Sequence, residues 1–139
     1  MQKESDKFNC DDLTFLIPVR IDTVVRLENL QIATDYLLSN FQTNIIIMEA
    51  DEHQNGILRK VLSPECTYYY IKDTDKIFHA TKYRNMLTSH AITSYIAIWD
   101  SDVIVPKEQI IKSLQRLRNN DTNFILPYGG LFLDTGVDS

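Results

Sequence analysis

Three short apolar runs, Leu13 to Val19, Asn44 to Met48 and Ser94 to Trp99, each break off into charged residues, and long stretches of helical periodicity separate them. This alternation constrains the chain more than any other feature. A run of five to seven apolar, largely β-branched residues is too short for a buried helix. Flanked by polar residues, it reads as a strand covered on both faces. Between the first two runs, Leu27, Leu30, Ala33, Leu37, Leu38 and Phe41 recur at helical spacing, with Asp22 or Thr23 placed to cap the start. Gln54 to Leu62 reads as a short helix stopped near Pro64, Thr67 to Ile71 as a third strand and Thr81 to Ala91 as a helix. Lys107 to Asn119 follows as a helix with Pro106 at its first turn, then Phe124 to Leu126 as a fifth strand and Leu131 to Leu133 as a further one. Strands alternating with helices predict an α/β fold: a mostly parallel sheet with helices on both faces, Rossmann-like in layout. The 139 residues suit one such unit, with residues 1–12 as a polar N-terminal segment and 13–139 as the domain.

Composition narrows the function classes. The formal net charge is -5 and the 14 Lys and Arg residues are scattered, so no basic face is available to track a phosphate backbone, which argues against nucleic acid as a partner. Cys10 and Cys66 stand far apart and form neither a disulfide framework nor a zinc motif, which fits a reducing cytoplasm. No apolar stretch of about 18 residues exists to span a membrane. Asn120-Asp121-Thr122 matches a glycosylation pattern that short sequences often contain by chance.

In an open parallel sheet, ligands bind outside the carboxyl ends of the strands, and this chain gathers its charges there. The first strand runs into Arg20 and Asp22, the second into Glu49 and Asp51, the fourth into Asp100, Ser101 and Asp102. Two carboxylates directly after the buried run Ile96-Ala97-Ile98-Trp99 repel each other unless a cation compensates, and they offer hard oxygen ligands to Mg²⁺ or Mn²⁺. For Asp22 a plain capping role has equal standing. No glycine-rich dinucleotide or P-loop fingerprint is present, so phosphate would be held by the metal and by side chains such as Lys82 and Arg84, whose bland reading is a solvated helix face. Tyr68, Tyr69 and Tyr70 suggest either a stacking platform or ordinary strand packing.

Phe15-Leu16-Ile17-Pro18-Val19-Arg20, Arg84-Asn85 opening a helix, and Ile96 to Asp102 followed by Val103-Ile104-Val105-Pro106 resemble the family-2-type glycosyltransferases of the GT-A fold. Bacterial polysaccharide polymerases of the chondroitin-polymerase kind and galactosyl- or N-acetylgalactosaminyltransferase domains are most similar. The resemblance implies a UDP-sugar donor, a glycan acceptor and Mn²⁺ or Mg²⁺. Under it, Pro18, Val19 and Arg20 border the nucleoside and Glu49 or Asp51 reads the base edge, while Lys82, Arg84 and Asn85 approach the nucleotide. Asp100 lies toward ribose and sugar with Ser101 beside it, and Asp102 holds the metal. It also implies that the general base sits in a later half of the domain with no counterpart here. The expectation is therefore a donor-binding half whose unfinished sheet edge and core favour self-association. The alternative is a non-catalytic nucleotide-sugar-binding module. Ile98-Trp99-Asp100-Ser101-Asp102 also looks like the nucleophile strand of haloacid-dehalogenase-type phosphatases, but the 37 residues from Val103 to Ser139 are too few for the rest of that sheet.

Overall fold

The computed structural model describes residues 7–90, 93–119, 124–125 and 130–134. Six strands form one sheet in the order β3-β2-β1-β4-β6-β5. They are β1 (Phe8–Val19), β2 (Phe41–Asp51), β3 (Thr67–Lys72), β4 (Tyr95–Trp99), β5 (Phe124–Ile125) and β6 (Gly130–Asp134). The first four are parallel, whereas β6 lies antiparallel to both β4 and β5. The helices are α1 (Val24–Asn40), α2 (Leu58–Val61), α3 (Ala80–Thr88) and α4 (Lys107–Arg118).

Alternation along the strands divides the core in two. Leu13, Phe15, Ile17 and Val19 of β1 and Ile45 and Ile47 of β2 bury against Leu30 and Leu37 of α1 and Ile110, Leu114 and Leu117 of α4. Leu16, Ile46, Met48, Ala50 and Ile96 face the other way and pack under Tyr83 of α3. Both faces therefore carry helices, as the sequence predicts, and β1, β2 and β4 read as apolar runs because helices cover both sides of most of their length.

The boundaries differ from the sequence expectation for local reasons. β1 starts at Phe8 instead of Leu13: Cys10 is fully buried, and the charge of the nearby Asp12 is neutralised where Arg118 donates to it at 2.6 and 2.8 Å. The register shifts between Asn9 and Thr14 absorb the extra length. The helix expected over 54–62 shrinks to Leu58–Val61, because Oδ1 of Asn55 accepts the amides of Ile57 and Leu58 and delays the first turn. The helix expected to run to Ala91 ends at Thr88, where the Ser89 amide and hydroxyl both turn back to the Met86 carbonyl. Thr23, not Asp22, caps α1, accepting the Arg26 amide at 3.1 Å. Pro106 is the residue that precedes the first turn of α4. Among the described residues no helix is long and apolar enough to cross a membrane. The triplet at 120–122 lies outside the described residues.

Candidate donor-binding site

The carboxyl ends of β1 and β4 open onto a cavity of about 400 Å³ lined by Pro18, Val19, Arg20, Asp22, Asp100, Ser101 and Asp102, together with Arg26, Lys76 and Phe78. Each part is held by identifiable packing. Trp99, the last residue of β4, is fully buried and meets Phe15 edge to face at 5.1 Å. Its indole donates to the Val103 carbonyl at 3.3 Å, and the Val103 amide bonds back to the Asp100 carbonyl at 3.4 Å. A tight turn results, with Ser101 tucked inward at 7% exposure and Asp100 and Asp102 both exposed at the cavity wall.

Arg20 follows β1 and joins three strand ends. Its Nε donates to the Ala50 carbonyl at 2.8 Å and its Nη1 to the Asp75 carbonyl at 2.7 Å, while the guanidinium lies 5.5 Å from the Phe78 ring centroid. Asp51 and Asp73 flank it at 3.9 and 3.8 Å. Nη2 of Arg20 and Oδ2 of Asp73 are buried and face each other at that longer spacing, beyond hydrogen-bond reach. Two of the three guanidinium nitrogens of Arg20 are thus hydrogen-bonded to the protein, and the residue shapes the cavity by fixing the loop of residues 73–79. That loop brings in Lys76 and Phe78. It is tightened by Asp75, whose carboxylate accepts the Ile77 amide at 3.1 Å and pairs with His79 at 2.8 Å. These contacts, the backbone amide foremost, hold the Asp75 carboxyl below its ordinary value.

The cavity therefore carries three carboxylates, Asp22, Asp100 and Asp102, and three cations, Arg20, Arg26 and Lys76. Arg26 is paired with Asp22 at 2.8 Å across one helical turn, on the exposed surface. Lys76 makes no ion pair among the described residues, so its charge is available to an anion. A smaller hollow beside Thr23, Val25 and Asn29 shares Arg26 and Asp102 with the main cavity.

Other residues singled out from the sequence stand apart from this cavity. Glu49 is fully buried within β2; it accepts hydrogen bonds from the Tyr68 hydroxyl and, at 2.9 Å, from the Asn55 amide, which offset the cost of burying a carboxylate. Burial, reinforced by the bond to Glu49, pushes the Tyr68 phenol up to about 12. Asp51 ends β2 beside Arg20 without lining the cavity. Lys82 is exposed with its ammonium 5.5 Å from the Tyr83 ring centroid, and Asn85 is exposed on α3. The side chain of Arg84 lies outside the described residues. Conversely, Arg26, Lys76 and Phe78 were not among the sequence candidates. The spacing of Asp22 and Arg26 by one helical turn was a readable signal, whereas nothing in the local pattern marks Lys76 or Phe78.

Among the described residues no three His, Cys, Asp or Glu side chains gather closely enough to cage a metal. Two exposed carboxylates at one wall suit Mg²⁺ or Mn²⁺ all the same, since such ions are commonly held by one or two carboxylates plus phosphates and water.

Solved structures share this architecture at low identity. The mannosyltransferase PcManGT of Pyrobaculum calidifontis, solved with GDP-Man and Mn²⁺, superposes with a TM-score of 0.60 at 11% identity over 88% of this chain and 44% of that one. The glucosyl-3-phosphoglycerate synthase of M. tuberculosis gives 0.58 at 6% identity over 95% and 58%. The chain has the nucleotide-diphospho-sugar transferase fold. A cytidylyltransferase from Leptospira borgpetersenii also matches, with a TM-score of 0.57 at 9% identity over 89% of this chain and 60% of that one. The chain thus spans about half the length of these proteins. No family model and no curated protein sequence matches it.

Proposed function

We propose that the chain is the donor-binding part of a metal-dependent glycosyltransferase of the family-2 type, taking a UDP-sugar and passing its hexose or N-acetylhexosamine to a glycan acceptor. One observation carries this reading: Asp100 and Asp102 line the same cavity as Lys76 and Arg26, at the carboxyl ends of β1 and β4. Such a cavity offers oxygen ligands for a cation and positive charge for a diphosphate within one enclosure. The PcManGT structure, which holds a nucleotide sugar and Mn²⁺ on this fold, is in keeping with it.

In this scheme Pro18, Val19 and the Phe78 ring provide the apolar wall for the nucleoside, and Arg20 holds Phe78 in place. Asp100 and Asp102 would hold the divalent cation, which when bound neutralises charge developing on the departing diphosphate. Lys76 supplies further positive charge on the phosphate side, and Arg26 does so once a ligand competes for its partner Asp22. The described residues that line the cavity assign no general base to the acceptor hydroxyl, which favours a second reading, a module that binds nucleotide sugar without turning it over.

Thermal-shift screening against UDP, GDP and CDP, each with Mn²⁺, followed by incubation with the matching radiolabelled nucleotide sugar, separates the two. Stabilisation by one nucleotide with release of labelled sugar supports the transferase. Stabilisation without release supports the binding module. Indifference to all three nucleotides removes both readings.

A further inference from the structure

A second cavity, of about 480 Å³, lies on the α3 side of the sheet near the amino ends of the strands, away from the site above. Its origin is topological. Tyr83 of α3 covers Leu16, Ile46, Met48, Ala50 and Ile96. Toward the amino ends the same face continues as Thr14 of β1, Asn44 of β2 and, beside Ile46, Thr67 of β3, so the floor turns polar where α3 no longer covers it.

One wall is aromatic. Tyr69 points to this face, opposite to Tyr68 and Tyr70, and stacks on His90 with ring centroids 4.7 Å apart and planes 28° apart. It is the most exposed of the three tyrosines, at 38%. Hydrogen-bond acceptors make up the rim. No hydrogen bond engages the carboxylates of Asp11 and Glu65 among the described residues. The Asn44 amide nitrogen is committed to the carbonyls of Asp11 and Leu13, both at 3.1 Å, while its oxygen has no hydrogen bond among the described residues and remains an acceptor. Thr14 and Thr93 fix the floor through a 2.6 Å hydroxyl contact.

The lining contains no lysine or arginine among the described residues, and its two carboxylates repel anions, so nucleotides and phosphates do not fit. Its threonines and asparagine do not suit a purely apolar ligand. A tyrosine ring 38% exposed, with His90 stacked on one face, does suit a pyranose beside acceptor groups: the sugar's C–H face packs on the opposite ring face while its hydroxyls donate to carboxylate and amide oxygens. The geometry points to a saccharide-binding site here, built for a neutral sugar of one or two rings, with Tyr69 as the stacking platform and Asp11, Glu65 and Asn44 as hydroxyl acceptors. The volume falls within the range of about 300–1,000 Å³ typical of ligand clefts. This assignment stands on its own cavity and does not depend on the donor-site reading.

Saturation-transfer NMR on the whole chain with maltose, lactose and N,N′-diacetylchitobiose tests it. The expected result is transfer to ring protons of at least one disaccharide. That binding is retained in Tyr69→Phe and Asp102→Ala, and is roughly tenfold weaker in Tyr69→Ala and Glu65→Gln, each checked for native circular dichroism. No transfer from any of the three sugars overturns the proposal, as does binding that survives Tyr69→Ala. Loss of binding in Asp102→Ala would assign the sugar to the first cavity. Binding of spermidine with no disaccharide would assign the second cavity to cations; either result overturns it too.

Discussion

The indole of Trp99 donates to the Val103 carbonyl at 3.3 Å, so the most deeply buried aromatic of β4 also sets the turn that displays Asp100 and Asp102. Core packing and site geometry share one side chain. Trp99→Phe keeps a ring against Phe15 but removes the donor and leaves a void. The expected loss is about 1–3 kcal/mol of stability in urea unfolding, with nucleotide affinity falling alongside. Trp99→Ala is expected to cost about 3–5 kcal/mol.

Arg20 is predicted to resist replacement by lysine. A lysine keeps the charge but cannot bond the carbonyls of Ala50 and Asp75 at once while lying over Phe78. Arg20→Lys should lower stability by about 1–3 kcal/mol and loosen the loop that carries Lys76, seen as faster hydrogen exchange over residues 73–79. Unchanged exchange there would show that the loop is held by other contacts.

The sequence made the strand ends legible because a buried strand advertises itself as an unbroken apolar run and its end as the first charge. Arg20, Asp22, Asp100, Ser101 and Asp102 are found in this way, Pro18 and Val19 through the family resemblance, and all line one cavity. Glu49 obeyed the same rule but did not share the outcome. Charge alone does not reveal that Tyr68 and the Asn55 amide sequester it inside β2. Lys76 and Phe78 sit in a loop with no periodicity, placed by the contacts of Arg20 and Asp75 and by the stacking of Phe78 on Tyr83 at 5.4 Å. The first residues of β1 were hidden as well, since Asn9, Asp11 and Asp12 look like a solvated tail until Arg118, far away in sequence, is seen to pair with Asp12.

The same loop should respond to acid. Asp75 is held below its ordinary value of 3.8 by the Ile77 amide and then by His79. Its contribution is present above that value and is lost as pH falls through the lowered one. Loop protection measured by hydrogen exchange should persist at pH 5 and fade on further acidification, whereas Asp75→Asn should show reduced protection at every pH.

Both cysteines are predicted to be inert in the folded chain. Burial pushes the Cys10 thiol up to about 12 and the Cys66 thiol up to about 11, so neither forms thiolate near neutrality. Iodoacetamide at pH 8 should label neither until urea is added. The associated stability is fully present below the ordinary thiol value of 9.0 and is lost as pH rises toward these raised values, because the unfolded chain deprotonates first. Denaturation midpoints measured between pH 8 and 10 should therefore decline.

The central claim is that Asp100 and Asp102 form a cation-dependent diphosphate site. Calorimetric titration of UDP into the chain, with and without Mn²⁺ and repeated on Asp102→Ala, tests it most directly. The account predicts binding that requires Mn²⁺ and disappears in the folded variant; binding that ignores both the metal and the substitution, or no binding under any condition, would contradict it.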